Sequence, residues 1–200
     1  GGKPKLVTSS MRKVPALWQW ASWAGKKSLV VGWLNTWPAE QIKGIMVAPY
    51  VALGQKRQTS IKGRIYEDVE RQTHPTHLLD TIRPLIVKTD EVPQQWERLL
   101  LPALAENDPI FDAIPRLRRY LYTALWSLAA GLTNTAIIEE KLKNDRFDLV
   151  MTYFDGTDTL AHRFWLMREP VTLIAKRLEQ HGIDPAWAPT LKAYFGRVLD

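Results

Sequence analysis

The sequence has no cysteine, which excludes disulfides, thiolate metal ligands and a thiol nucleophile. The same absence tilts the expected compartment toward a reducing one, the cytoplasm, without assigning it. There is no Gly-rich phosphate loop, no Ser or Cys nucleophile elbow and no Rossmann fingerprint, so three common routes to nucleotide binding and acyl transfer are closed. No long tract of one charge occurs either. The 27 Lys and Arg exceed the 21 Asp and Glu, giving a net charge of +6 that favours anionic partners through long-range steering. The basic residues, however, fall as Lys26-Lys27, Arg116 with Arg118-Arg119, and scattered singles, a pattern that argues against nucleic acid as a partner. No export signal opens the chain, and neither end reads as a natural terminus: Gly1 comes first and a helical pattern stops at Asp200, so an internal fragment is expected.

What is present suffices for a core, since 46% of the 200 residues are hydrophobic. Residues 120–138 form a charge-free run long enough to consider as a membrane span. They include Thr123, Ser127, Thr133, Asn134 and Thr135, which suit a core helix better than hydrocarbon, so no membrane span is expected.

The chain is best organised around residues 147–165, FDLVMTYFDGTDTLAHRFW. An apolar run over 147–154 predicts a central strand buried on both faces. Asp155, Gly156 and Thr157 are turn formers, and Thr157 or Asp158 can cap a helix that carries Asp158, Ala161, His162 and Trp165. At a spacing of four, Asp158 and His162 share one helical face just beyond a strand's carboxyl end, where open α/β sheets place their ligands.

Upstream, Ser9 or Ser10 is expected to cap a helix over 11–24 with Val14, Leu17, Trp18 and Ala21 on its apolar face and Gly25 as its stop. Residues 27–34, KSLVVGWL, predict an interior strand, parallel to the later one, and residues 35–38 a turn at its carboxyl end. Residues 44–50 are a third apolar stretch. Residues 53–75 are polar and without period, which suggests an excursion or lid, followed by short helices over 76–83 and 94–106. A long helix is expected over 117–143, with a break near Gly131, then helices over 171–181 and from Thr190. The expected parts are thus a helix–strand piece of the core over 1–50, an insertion or lid over 51–116, and the helix, site strand and following helices over 117–200.

A divalent metal in a hydrolytic site needs imidazole and carboxylate ligands on a rigid element, and Asp158 with His162 supplies two. A helix-capping Asp and a half-buried His are the plainer reading of the same pair. Asp155 is either a carboxylate that orients His162 or a turn residue. Glu70 with His74 repeats the spacing in a polar stretch. His74 and His77, around Pro75, read as a surface loop. The tryptophans, among them Trp18, Trp20, Trp23, Trp33 and Trp37, read mostly as core packing, with Trp37 placed to line a pocket.

The run DLVMTYFDGTDTLAHRFW resembles the metal-binding segment of the alkaline phosphatase superfamily, in its type I phosphodiesterase/nucleotide pyrophosphatase branch. Residues 8–47, with the turn Thr36-Trp37-Pro38, are similar to the helix, strand and turn that follow that family's nucleophile region, and AYFGRVLD resembles a helix before its Asp-His-Gly segment. The resemblance implies a three-layer α/β/α fold with a mostly parallel central sheet, incomplete at both ends. It implies Asp158 and His162 as ligands of a divalent metal, zinc by preference, within a two-metal centre. Asp155, Thr36 and Trp37 become candidates for the surroundings of that site.

The family's nucleophile segment and its remaining ligands have no counterpart in the chain, so no catalytic nucleophile is assigned. The expected function is that of a fragment of a metal-dependent phosphate-ester hydrolase, phosphodiesterase or pyrophosphatase in type, acting on a small phosphate ester and inactive by itself. Two ligands leave an open site with poor zinc retention. The alternative is a non-catalytic α/β module that binds an anionic partner; sulfatase or mutase chemistry on the same scaffold is a third reading.

Overall fold

The computed structural model describes residues 7–49, 51, 70–95, 98 and 107–198. It forms an α/β protein of two compact units, each built from two separate stretches of chain: residues 1–88 with 129–154, and residues 89–128 with 155–200.

The first unit is built on a four-stranded mixed sheet of β1 (Ser28–Val31), β2 (Gly44–Val47), β3 (Thr73–His74) and β4 (Leu149–Thr152), in the order β3-β2-β1-β4. β1 pairs in parallel with β2, Ser28 opposite Gly44, and with β4, Val31 opposite Thr152. β3 joins β2 antiparallel, Met46 opposite His74. β1 is central and wholly buried, as its unbroken apolar run requires. Alternation along it feeds two clusters. Leu29 and Val31 pack with Val47, Leu78, Ile82 and Ile137, whereas Val30 packs with Met46, Trp18, Ala39 and Ile42.

Gly32 ends β1 with φ +69°, so the strand is shorter than the apolar run. Gly44 opens β2 at φ +132°, where a side chain would meet the Ser28 carbonyl oxygen at 2.0 Å.

Three expectations are corrected in this unit. β4 is an edge strand among the described residues, with Val150 43% exposed, and is not a centre buried on both faces. Its apolar run is indistinguishable by composition from that of a central strand. The helix expected over 11–24 is a short 3-10 turn, Ser9–Met11, then α1 (Leu17–Trp23). Pro15 lacks an N–H and disfavours helical geometry at Val14, which separates the two. Ser9 donates instead to the Pro38 carbonyl at 2.7 Å and caps no helix. Val14 and Leu17 are exposed while Trp18 is buried, so the apolar face centres on Trp18. Trp20 and Trp23 are exposed too, packed edge to face at 5.0 Å. Thirdly, the polar excursion ends in the sheet: Gln72 and Thr73 are buried, and Ala48 donates to the Gln72 carbonyl at 2.8 Å. The rest of that excursion, and most of the helix expected over 94–106, lie outside the described residues.

α2 (Leu78–Ile82) follows β3. In the second unit, α3 (Ile110–Ala113) precedes α4 (Arg116–Asn144), a continuous 29-residue helix that passes Gly131 without a break. Its first 13 residues belong to the second unit and its remainder to the first. Among the described residues α4 alone is long and apolar enough to cross a membrane by length and composition. Thr123, Ser127, Thr133 and Asn134 are buried on it, and Thr123 and Thr133 donate back to the Arg119 and Ala129 carbonyls.

After β4 come α5 (Gly156–Phe164), α6 (Val171–Gln180) and α7 (Ala188–Phe195). α7 starts two residues before the expected Thr190 because Asp184 takes the Ala186 N–H at 2.9 Å and initiates a 3-10 turn leading into it. The second unit's core joins Ile110, Phe111, Leu117, Leu160, Phe164, Ile174, Leu191 and Phe195. Phe164 and Phe195 stack at 5.3 Å.

Candidate functional site

α5 begins at Gly156, and Asp155 takes the cap position with helical backbone angles. The helix therefore starts one to two residues before the expected caps, Thr157 and Asp158. Its orientation follows from its apolar residues. Leu160 and Phe164 are buried, one turn apart. Asp158 and His162 each precede one of them by two positions, about 200° around the helix. They must face outward. Both are exposed, and His162 Nε2 lies 3.3 Å from Asp158 Oδ1.

That separation can be weighed against a metal's needs. Two donors at tetrahedral zinc distances of about 2.0–2.1 Å stand roughly 3.4 Å apart. One carboxylate oxygen and one imidazole nitrogen are also donors zinc accepts. The separation is compatible with two ligands of one divalent ion and equally with a direct Asp–His contact along one helical turn. Among the described residues, no group of three or more His, Asp or Glu side chains gathers into a metal-sized cluster.

The neighbouring candidates take local roles. Asp155 accepts from Ser127 Oγ at 2.8 Å and from Thr159 Oγ1 at 3.2 Å, which ties the start of α5 to α4. No hydrogen bond joins it to His162; its partners are the two hydroxyls. Thr36 is wholly buried and donates to the Trp33 carbonyl at 2.6 Å, so its hydroxyl is consumed within its own turn. Trp37 is partly buried and donates through Nε1 to the Glu70 carbonyl at 3.0 Å. Both belong to the first unit, whereas Asp155, Asp158 and His162 belong to the second. β1 and β4 do run parallel, so the turn over 35–38 leaves the same end of the sheet as residues 153 and 154.

The other acid–histidine spacing dissolves in the fold. Glu70 precedes β3 and His74 lies within it, so a spacing of four does not bring them onto one helical face. His77 is exposed at the start of α2.

Sequence reasoning missed a feature beside the pair. A cleft of about 560 Å³ in the second unit is lined by Arg116, Arg119, Tyr120, His162 and Arg163. The signal was the run RLRRY: positions 116, 119 and 120 are three and four apart and share a helical face, whereas Arg118 points elsewhere and lies 4.0 Å over the Phe111 ring.

No protein-family model, no curated protein and no solved structure matches the chain.

Proposed function

We propose that the chain is part of a metal-dependent hydrolase of phosphate esters, of the phosphodiesterase/nucleotide pyrophosphatase type, with Asp158 and His162 as one pair of ligands to a divalent metal, zinc by preference. The finer fold belongs to this reading: a three-layer α/β/α arrangement like that of alkaline phosphatase. The observation that carries the reading is the pairing of Nε2 and Oδ1 at 3.3 Å on the exposed face of the helix that follows a parallel strand. Exposure leaves both side chains within reach of a metal and a substrate. A ligand pair needs it, because the substrate must reach the metal.

Bound there, zinc would polarise a phosphoryl oxygen and stabilise charge on the leaving oxygen. The chain's own residues hold and orient. Leu160 and Phe164 lock the helix by burial, and Asp155, held by two hydroxyls, fixes its first turn. The nucleophile, on the resemblance, lies in sequence this chain does not contain.

The test is hydrolysis of a bis-aryl phosphate by the chain restored to its flanking sequence. Activity should require added metal and fall by at least 100-fold in Asp158→Ala and in His162→Ala. Unchanged activity in both variants removes the pair from the site. The alternative, a non-catalytic module for an anionic partner, is favoured by the arginine-lined cleft, and salt-sensitive, metal-independent binding without hydrolysis would select it.

A further inference from the structure

The side of α1 turned away from the sheet is apolar and uncovered. Trp18 faces inward: it packs with Val30, Ala39, Ile42 and Met46, donates through Nε1 to Glu40 Oε2 at 2.6 Å, and has the Arg12 guanidinium 5.3 Å over its ring. Trp20 stands about 200° around the helix from Trp18, with Leu17 and Trp23 about 60° to either side of it. Leu17, Trp20 and Trp23 are 57%, 58% and 66% exposed, and the two indoles meet edge to face at 5.0 Å. Neither indole N–H donates to another described residue. Val7, Met11 and Val14 are exposed as well, so six of the 14 large hydrophobic side chains exposed among the described residues fall within residues 7–23. Single exposed apolar residues are ordinary on a protein surface, but two touching indoles on one stripe mark a contact site. The charge around them is of one sign. Residues 1–39 hold six of the 27 Lys and Arg and none of the 21 Asp and Glu, so the rest of the chain balances and the whole net charge of +6 lies in this segment. Three of the six are matched by acids from later in the chain, Arg12 by Glu40, Lys26 by Asp148 and Lys27 by Asp145. Lys13, four residues before Leu17, is exposed and has no ion pair among the described residues.

We propose that α1 is a membrane-contact helix that lies flat on an anionic lipid bilayer, with Leu17, Trp20 and Trp23 at the boundary of headgroups and acyl chains and Lys13 among the lipid phosphates. Indole suits that boundary because its ring is apolar while its N–H needs a wet partner. Lysine suits it because its stem can follow apolar surface while the ammonium reaches the phosphates. Trp and Leu on one side of a helix, within a stretch that has Lys and Arg but no acid, is the pattern of an interfacial helix. A bilayer answers both features at once, since it offers apolar depth beneath a negative surface. Burial of Trp18 holds α1 on the sheet, so the stripe is presented ready-made and contact requires no folding step. Such a helix rests on the membrane and spans nothing. The inference is independent of the phosphate-ester reading.

The experiment is co-sedimentation of the 200-residue chain with vesicles of phosphatidylcholine containing about 30 mol% phosphatidylglycerol, and with vesicles of phosphatidylcholine alone. The chain should bind the anionic vesicles roughly tenfold more tightly than the neutral ones, and added salt should weaken that binding. Trp20→Ala combined with Trp23→Ala should reduce it roughly tenfold, and Lys13→Glu roughly fivefold. Trp165→Ala, which removes an exposed indole of the second unit, and Lys176→Glu, on the exposed side of α6, should each change it less than about twofold. Circular dichroism of the α1 variants should match wild type, since the replaced side chains are exposed. A wild-type chain that binds neither vesicle overturns the proposal, as does equal binding to both or an equal loss in Trp165→Ala and the Trp20, Trp23 double variant. Retention on polyglutamate without vesicle binding would give the face to an acidic protein and overturn it too.

Discussion

At Gly44 an added methyl group would lie 2.0 Å from the Ser28 carbonyl oxygen, on backbone held at φ +132°. Neither atom can retreat without breaking the β1–β2 register. Gly44→Ala should therefore destabilise the chain by about 3 kcal/mol or more, read as a lower denaturant midpoint at unchanged slope. Phe164 makes a comparable case in the second unit. It is 1% exposed and stacked on Phe195, so Phe164→Ala should cost about 3–5 kcal/mol, whereas Phe164→Leu should cost less. The helical face of Asp158 and His162 was legible from spacing alone, because Leu160 and Phe164 occupy the opposite side. The roles of Thr36 and Asp155 were not. Each is decided by a partner distant in sequence or by a backbone carbonyl, and a turn former looks the same whether its hydroxyl or carboxylate is consumed or offered.

Elements are joined where β1 and β4 begin. Asp148 accepts the Lys27 N–H at 2.8 Å and the Lys26 ammonium at 3.2 Å, while Asp145 pairs with the Lys27 ammonium. The backbone N–H of Lys27, then the Lys26 side chain, lowers the Asp148 carboxyl below its ordinary 3.8. The Lys27 side chain, then the Arg146 N–H, lowers that of Asp145. A carboxyl lowered by folding adds stability above its unfolded value, and that contribution is lost as pH falls through the folded value. Asp148→Asn should narrow the stability difference between pH 7 and pH 3, and added salt should narrow it in the wild type as well. Compositional runs marked β1 and β4 as strands, and β2 lies in the third apolar stretch. They could not rank them: edge and centre differ in what lies beside a strand, and Val150 is as apolar as Val30. β3 was hidden for a related reason, being two residues long and polar, with its place won by pairing to β2.

The whole molecule is basic and folds as two units that each reuse distant stretches of chain. Here the division passes within α4, between Leu128 and Ala129, in an uninterrupted apolar helix that carries no compositional mark. The α/β class was readable, because a helix, a glycine and a buried strand follow in order over residues 17–31. The net charge of +6 should speed encounter with anionic partners, and any such association should slow as added salt screens it.

The central claim is that Asp158 and His162 grip a metal together, and it is tested most directly by zinc titration of the 200-residue chain, followed through the ¹⁵N resonances of the His162 imidazole. The account predicts that Nε2 of His162 shifts as about one equivalent of zinc is added, that a mild chelator reverses the shift, and that Asp158→Ala abolishes it. A His162 ring indifferent to zinc, or one that responds equally without Asp158, would contradict the claim.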